Sequence, residues 1–233
     1  MNKQSKDGNI SWTDYTWNPI KGLCPVGCWY CYARKMYQNP RYGWSHEIKP
    51  SKEYPGMIHI PDTQARKIFV CSTFEIFHPS VKAEWRNWIF DIIEYYPQHT
   101  FQILTKMPEN IDRPMPDNVW LGVSITGAGD QERMAYLSGI KAKTKFISWE
   151  PLLANPLPPG WRIPKCVNWV IVGRLTGHGK KHDPKIDLIA DLIIKAHIKN
   201  VPIFLKNNLK EIWYGKLIQG FPLAISVVKS DRQ

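Results

Sequence analysis

The sequence lacks the features of a membrane or secreted protein. No run of about 18 apolar residues, the length of a membrane-spanning helix, occurs in the 233-residue chain. The first ten residues, MNKQSKDGNI, have no apolar core of the kind that secretory signal peptides carry. We therefore expect a cytoplasmic protein that does not associate with membranes.

Acidic residues are also few, because 20 Asp and Glu stand against 31 Lys and Arg, for a net charge of +11. Such a surface attracts polyanions, and nucleic acid is the commonest of these inside cells. The alternative is a merely basic protein without this partner. Internal repeats and low-complexity tracts are absent, and 43% hydrophobic residues suffice for one core. We expect one domain over residues 1–233.

From residue 67 onward, short apolar runs alternate with segments of helical spacing, for example 187–200. The runs predict six buried strands: 67–73, 100–106, 119–125, 145–151, 168–174 and 202–207. A further short strand is expected within 10–17. Apolar strands alternating with helices predict an α/β fold with a parallel sheet covered by helices.

Periodicity leaves open whether this sheet is an open doubly wound sheet or a complete or partial (β/α) barrel. In both architectures the reactive groups lie at the carboxyl ends of the strands. The strand ends are therefore the first place to look for a site.

Three of the five cysteines lie within eight residues, in GLCPVGCWYCYA (22–33). Their spacing, C-x3-C-x2-C, puts Cys24, Cys28 and Cys31 on one loop. The aromatic Tyr30 immediately precedes the third cysteine. An odd cysteine count argues against a disulfide framework, and clustered thiols in a reducing compartment more often bind metal. Three thiolates can hold three irons of a [4Fe–4S] cluster and leave the fourth open for a substrate or cofactor.

The alternative for this loop is a structural zinc site with a fourth ligand from elsewhere in the chain. The candidates for that ligand are His46, Cys71 and His78.

The cysteine triplet with its aromatic residue resembles the cluster motif of the radical S-adenosylmethionine superfamily. More narrowly, TWNPIKGLCPVGCWYCYA resembles the opening of small phage-associated radical proteins of unknown function, which are distantly similar to spore photoproduct lyase. The resemblance spans about residues 11–207 and continues in FVCSTFEIFHPSV, ILTKMP, VWLGVSI, FISWEPLL, NWVIVGRLTG and PIFLKN. The chain departs from that family at 173–177, GRLTG in place of GGESG, and in the closing FLKNN.

This resemblance implies a partial (β/α) barrel of about six or seven parallel strands with an N-terminal cluster-binding loop, 11–37. It implies that S-adenosylmethionine binds the open iron through its amine and carboxylate. One-electron reduction would cleave it to a 5′-deoxyadenosyl radical that abstracts a substrate hydrogen. Tyr30 is expected near the adenine, and an electron donor such as flavodoxin or ferredoxin is implied. The β/α repeats would occupy 67–207 and a C-terminal tail 208–233.

Polar and charged residues at the predicted strand ends complete the expected site. A charge at the end of an apolar strand must be solvated in a cleft or paired, so an ion-pair network is the alternative. The residues assigned to the cofactor are Ser72, Ser124, Glu150, Arg174 and Lys206. Those assigned to catalysis are Cys71 as a hydrogen-atom donor, His78 as a proton donor, and Lys106. Cys71 and His78 both also suit structural roles.

The segment 38–66 is rich in Pro, Gly, Lys and Tyr and shows no period, which indicates an irregular excursion. Cations that track phosphates and aromatics that stack on bases suit a nucleic-acid groove, and a solvated basic loop is the alternative. The candidates here are Arg34, Arg41, Trp44, Lys49 and Lys52.

Three functional hypotheses follow. The first is a radical enzyme that repairs or modifies a nucleic acid or nucleotide, with its lyase, isomerase or transferase class left open. The second is a nucleic-acid-binding protein whose iron–sulfur cluster is structural or redox-sensing. The third is a radical enzyme that acts on a peptide or small metabolite.

Overall fold

Seven parallel strands form one sheet in which each strand lies beside its predecessor in the chain. The structure is a computed structural model that describes residues 1–8, 10–51, 64–153 and 160–222. The parallel strands are β2 (Tyr15–Trp17), β5 (Lys67–Val70), β6 (Thr100–Thr105), β7 (Val119–Ser124), β8 (Thr144–Trp149), β9 (Trp169–Val172) and β10 (Ile203–Leu205). The short β1 (Asn2–Lys3) pairs antiparallel with β2 at one edge. A separate antiparallel pair consists of β3 (Ile20–Lys21) and β4 (Lys49–Pro50).

All six strands predicted after residue 67 are present, each shorter than its apolar run by one to three residues. The expectation of an α/β fold with a parallel sheet is thus confirmed. A doubly wound sheet reverses its strand order at a switch point, whereas this order is monotonic. The sheet is not closed, since within the described ranges β1 and β10 do not pair with each other; β10 forms only an isolated antiparallel bridge, between Phe204 and Gln219.

Within the described ranges, four α-helices accompany the sheet: α1 (Tyr32–Gln38), α2 (Ala83–Tyr95), α3 (Glu132–Gly139) and α4 (Ile186–Ile198). The longer ones, α2 and α4, bury apolar stripes that include Phe90 and Leu192 against the sheet's outer face. Between β6 and β7 a 3₁₀ turn, Pro108–Asn110, stands in place of an α-helix. In the described part of the chain, none of the helices combines the length and apolarity that a membrane crossing needs.

The inner face of the sheet is curved around a cluster of aromatic rings. The Trp12 ring lies 4.7 Å from Phe69 on β5 and 6.1 Å from Trp169 on β9. In a flat sheet those strands would be roughly 19 Å apart, at about 4.8 Å per strand. One indole can reach both only if the sheet curves. Gly122 makes room inside, because a Cβ there would lie 2.3 Å from the Phe146 ring.

The chain after β10 covers the amino end of this curved face. The Trp169 indole N–H donates to the Gly220 carbonyl at 2.8 Å, and the Phe221 ring stacks on Trp169 with centroids 5.5 Å apart. The Lys67 ammonium lies 4.9 Å from the centre of the Phe221 ring. Aromatic packing therefore closes the amino end, and the carboxyl end is where polar groups collect.

Candidate functional site at the carboxyl edge of the sheet

The cysteine loop lies between β3 and α1. Its thiols Cys24, Cys28 and Cys31 are half-buried and form no disulfide. Both loop glycines have the positive φ that a tight curl requires, +119° at Gly22 and +71° at Gly27. A Cβ on Gly22 would also lie 2.5 Å from a backbone oxygen, so that position accepts only glycine.

The first part of the 38–66 excursion is hydrogen-bonded to the cysteine loop and its flanking strand. Strands β3 and β4 pair, and the backbone N–H of Leu23 donates to the His46 carbonyl at 3.1 Å. The Tyr37 hydroxyl accepts from the N–H of Gly22 at 2.9 Å. Where the sequence predicted only irregular chain, residues 40–42 form a 3₁₀ turn and 49–50 a strand. Backbone pairing, invisible to side-chain periodicity, produces this order.

Backbone N–H groups point at two of the sulfurs. The N–H of Arg34 donates to Cys31 Sγ at 3.4 Å, with Cys31 as the N-cap of α1. Burial raises the pKa of Cys24, and N–H groups of Val26 and Glu75 that hydrogen-bond its sulfur oppose this rise. Hydrogen bonds to sulfur are one of the protein's means of stabilising iron–sulfur thiolates. The donor set and its N–H environment therefore fit a cluster.

Across residues 1–8, 10–51, 64–153 and 160–222, no three His, Cys, Asp or Glu side chains are grouped so as to hold a metal ion. A cubane cluster makes a different demand, because each thiolate binds its own iron. Two of the three zinc candidates make other contacts, His46 Nε2 with the Tyr37 carbonyl at 3.0 Å and His78 Nδ1 with Ser80 Oγ at 2.8 Å, and the third, Cys71, is buried.

Beside the loop, the sheet's inner face ends in two polar rows. In the lower row, Lys106 Nζ donates to Ser124 Oγ at 3.1 Å, and Ser124 is aligned with Ser148 across β7 and β8. The upper row consists of Glu150, the first residue after β8, and Lys206, the first residue after β10. The last residues of these two strands are in register with the same residue of β9. Side chains alternate along a strand, so both rows share the face of the aromatic cluster.

Tyr30 connects the cysteine loop to the lower row. The Lys106 ammonium lies 6.0 Å from the centre of its ring, within the range of a cation–π contact. Burial raises the pKa of Tyr30, as do the nearby Cys28 and a hydrogen bond with it. The phenol is therefore neutral and lies beside a thiol of the cysteine loop.

The upper row holds a buried ion pair between Lys206 and Glu150. Lys206 is only 4% exposed, whereas the Glu150 side chain is 25% exposed and reaches solvent at the carboxyl edge of the inner face, which we call the opening. Gly173 lies between them, and a Cβ there would be 2.8 Å from Lys206 Cδ. The glycine thus leaves room for the lysine to cross the face and meet the carboxylate.

The other residues expected in the site lie apart from these rows. Cys71 is buried in the core, and burial raises its pKa. Ser72 donates to Asn18 Oδ1 at 3.1 Å. His78 accepts from the Ser80 N–H in a local turn. Arg174 is committed to ion pairs with Asp183 and Glu211.

The nucleic-acid candidates differ in whether their side chains already contact other parts of the protein. Arg34 Nη2 donates to the Cys24 carbonyl at 3.0 Å, which ties it into the loop. Trp44 packs on Tyr37 with ring centroids 5.0 Å apart, and Lys49 is paired with Glu47 at 2.8 Å. Arg41 is exposed. Lys52 lies outside the described residues.

Two residues at the site were given no role from the sequence. Glu75 is buried and accepts from Thr105 Oγ1 at 2.7 Å and from the Lys106 N–H at 2.8 Å, so it joins the loop after β5 to the end of β6. Trp29 is 53% exposed beside Cys28. The sequence signals that could have identified them were a carboxylate soon after a strand, for Glu75, and a tryptophan inside the cysteine triplet, for Trp29.

Comparisons with known proteins give one match. Residues 7–213 match the family described as "Protein of unknown function (DUF5131)". The curated proteins contain no match, and neither do the solved structures. The match covers both the cysteine loop and every parallel strand of the sheet. The chain therefore belongs to the DUF5131 family of proteins of unknown function.

Proposed function

We propose that this chain is a radical S-adenosylmethionine enzyme acting on a nucleic acid or nucleotide. The observation that carries the proposal is a loop of three unpaired thiols next to a polar opening at the carboxyl edge of a parallel sheet. Cys24, Cys28 and Cys31 would hold a [4Fe–4S] cluster, which supplies an electron for reductive cleavage of S-adenosylmethionine to a 5′-deoxyadenosyl radical. The curved sheet is, on this proposal, a partial (β/α) barrel.

The residues of the two rows would bind and orient the cofactor. Lys106 offers a cation to the carboxylate of the methionyl group, and a charge-assisted hydrogen bond there is roughly twice as strong as a neutral one. Glu150 offers an acceptor to the ammonium or the ribose hydroxyls. Lys206 holds that carboxylate from behind. The neutral Tyr30 ring supplies an apolar wall for the adenine.

The remaining parts of the proposal concern partners. The net charge of +11 supports a polyanionic substrate. An electron donor such as flavodoxin or ferredoxin would reduce the cluster in the cytoplasm.

The test uses anaerobically reconstituted protein, dithionite and S-adenosylmethionine, with 5′-deoxyadenosine measured by chromatography. We expect 5′-deoxyadenosine from the wild type even without substrate, and none from Cys24→Ala/Cys28→Ala/Cys31→Ala. Iron-loaded protein that shows neither product nor a spectral change with the cofactor would refute a radical enzyme. It would favour a nucleic-acid-binding protein with a structural or redox-sensing cluster.

A further inference from the structure

An exposed tryptophan stands at the tip of the cysteine loop, held by aromatic neighbours. The Trp29 ring lies 5.3 Å from the ring of His178, 4.9 Å from that of His182 and 5.4 Å from that of Tyr30. More than half of Trp29 remains open to solvent. The contacts orient the ring without covering it.

A second contact joins the two segments that carry these rings. Lys35 Nζ donates to the Gly177 carbonyl at 3.4 Å, so α1 is tied to the loop after β9. We call the resulting surface the Trp29 patch and define it by Trp29, Tyr32 and Lys35 with residues 178–182.

The charge of the Trp29 patch has one sign. Segments 25–35 and 176–183 contain four Lys and Arg and a single acid, Asp183. The Asp183 carboxylate is already paired with Arg174 at 2.8 Å, so it does not offset the lysines. Partial burial lowers the pKa of His178, and so do the neighbouring Lys35 and His182 side chains. Exposed cations Lys180 and Lys181 complete the surface.

An exposed ring among lysines that form no ion pair with any described residue suits a single strand of nucleic acid. Bases stack on aromatic faces, and lysines follow the phosphates. The excursion offers less, because its Trp44 packs on Tyr37 and Tyr42 and its Lys49 is paired with Glu47. Trp29 also neighbours Tyr30, whose ring faces Lys106 in the opening.

We propose that the Trp29 patch binds single-stranded nucleic acid, with one base stacked on Trp29 and the backbone along Lys180 and Lys181. The inference rests on the proposed function and locates its substrate. A base held on Trp29 lies at the rim of the opening, so the next nucleotide reaches the polar rows.

The test is fluorescence anisotropy with a labelled single-stranded oligonucleotide of about 12 nucleotides, as DNA and as RNA, at several salt concentrations. Trp29→Ala should weaken binding roughly five- to hundredfold, the range for loss of one stacked base. Lys180→Glu/Lys181→Glu should weaken it strongly and make the log–log salt slope about 1.4 units shallower, at about 0.7 per phosphate contact on a single strand. The matched control is Lys141→Glu/Lys143→Glu, which makes the same charge change near the amino end of β8 and should have a small effect.

Iron content is measured for each variant, because Trp29 lies within the cysteine loop, and the two patch lysines lie outside it. Binding that survives both patch changes but falls with Arg41→Glu/Lys49→Glu/Lys52→Glu would overturn the inference in favour of the excursion. Unchanged oligonucleotide binding with slower reduction by flavodoxin would instead assign the patch to the electron donor. Failure of the proposed function itself is seen separately, as absence of 5′-deoxyadenosine from the wild type with dithionite and no oligonucleotide.

Discussion

The two ends of the curved sheet face carry different side chains, aromatic at the amino end and polar at the carboxyl end. At the amino end, Trp169 and Phe221 stack, and the Trp169 indole N–H donates to the Gly220 carbonyl. At the carboxyl end, Lys106, Ser124 and Glu150 lie on the same face of the sheet, beside a loop of three thiols. One end is packed for stability and the other retains costly polar groups, which a protein keeps only for a use.

This contrast predicts that changes at the aromatic end lower stability most, whereas changes at the thiols and at Lys106 alter metal or cofactor binding. The greatest expected effect is at the thiols. Cys24→Ala/Cys28→Ala/Cys31→Ala should abolish iron binding and visible absorption, from about four irons and four sulfides per chain, because no other thiol lies on the loop. Cys166→Ala should retain both. Metal analysis of anaerobically purified protein decides, and stoichiometric zinc without iron would contradict the prediction.

At the aromatic end, Trp169→Ala should lower the free energy of unfolding by about 3–5 kcal/mol, since it removes a buried indole and leaves a cavity. Denaturant unfolding measures this. Trp29→Ala is the matched control and should cost far less, because that side chain is half exposed. Equal losses at the two tryptophans would break the distinction between the ends.

The Lys206–Glu150 pair tests whether an unpaired charge or the lost packing of the lysine stem lowers stability more. Lys206→Met leaves Glu150 without its partner and should cost about 1–3 kcal/mol, less than for a fully buried pair because Glu150 is partly exposed. The double variant Glu150→Gln/Lys206→Met should recover most of that loss, since no charge remains unpaired. A double variant as unstable as the single one would mean that packing of the lysine stem, not charge, is what matters.

The smallest effect concerns cofactor affinity. Lys106→Met should weaken S-adenosylmethionine binding about tenfold, the loss of one charge-assisted hydrogen bond. Lys67→Met makes the same change at the amino end, where that lysine contacts Phe221 and Asp14, and should leave the affinity unaltered. Equilibrium binding to the iron-loaded protein gives both values. A similar loss in the two variants would indicate a general charge effect.

Strand-end reasoning located Ser124, Glu150 and Lys206 correctly at the carboxyl edge, because the end of a parallel strand can be read from where an apolar run stops. It also included Arg174, which lies one residue past Gly173. Side chains alternate with a period of two, so that single step turns Arg174 away from the row and towards Asp183 and Glu211. An apolar run therefore predicts that a strand exists more reliably than it predicts the residue at which the strand ends.

By itself, the sequence determined the local features: the apolar strands, the helix at 187–200, the three clustered thiols, and the glycines at 22 and 27 that let their loop curl. These depend on neighbours in the chain, so periodicity and spacing reveal them. The tertiary structure alone decided the Lys206–Glu150 pair, the support of the cysteine loop by β4, and the meeting of Trp29 with His178 and His182. Those contacts join residues far apart in sequence, and the curvature of the sheet and the paths of its connections bring them together.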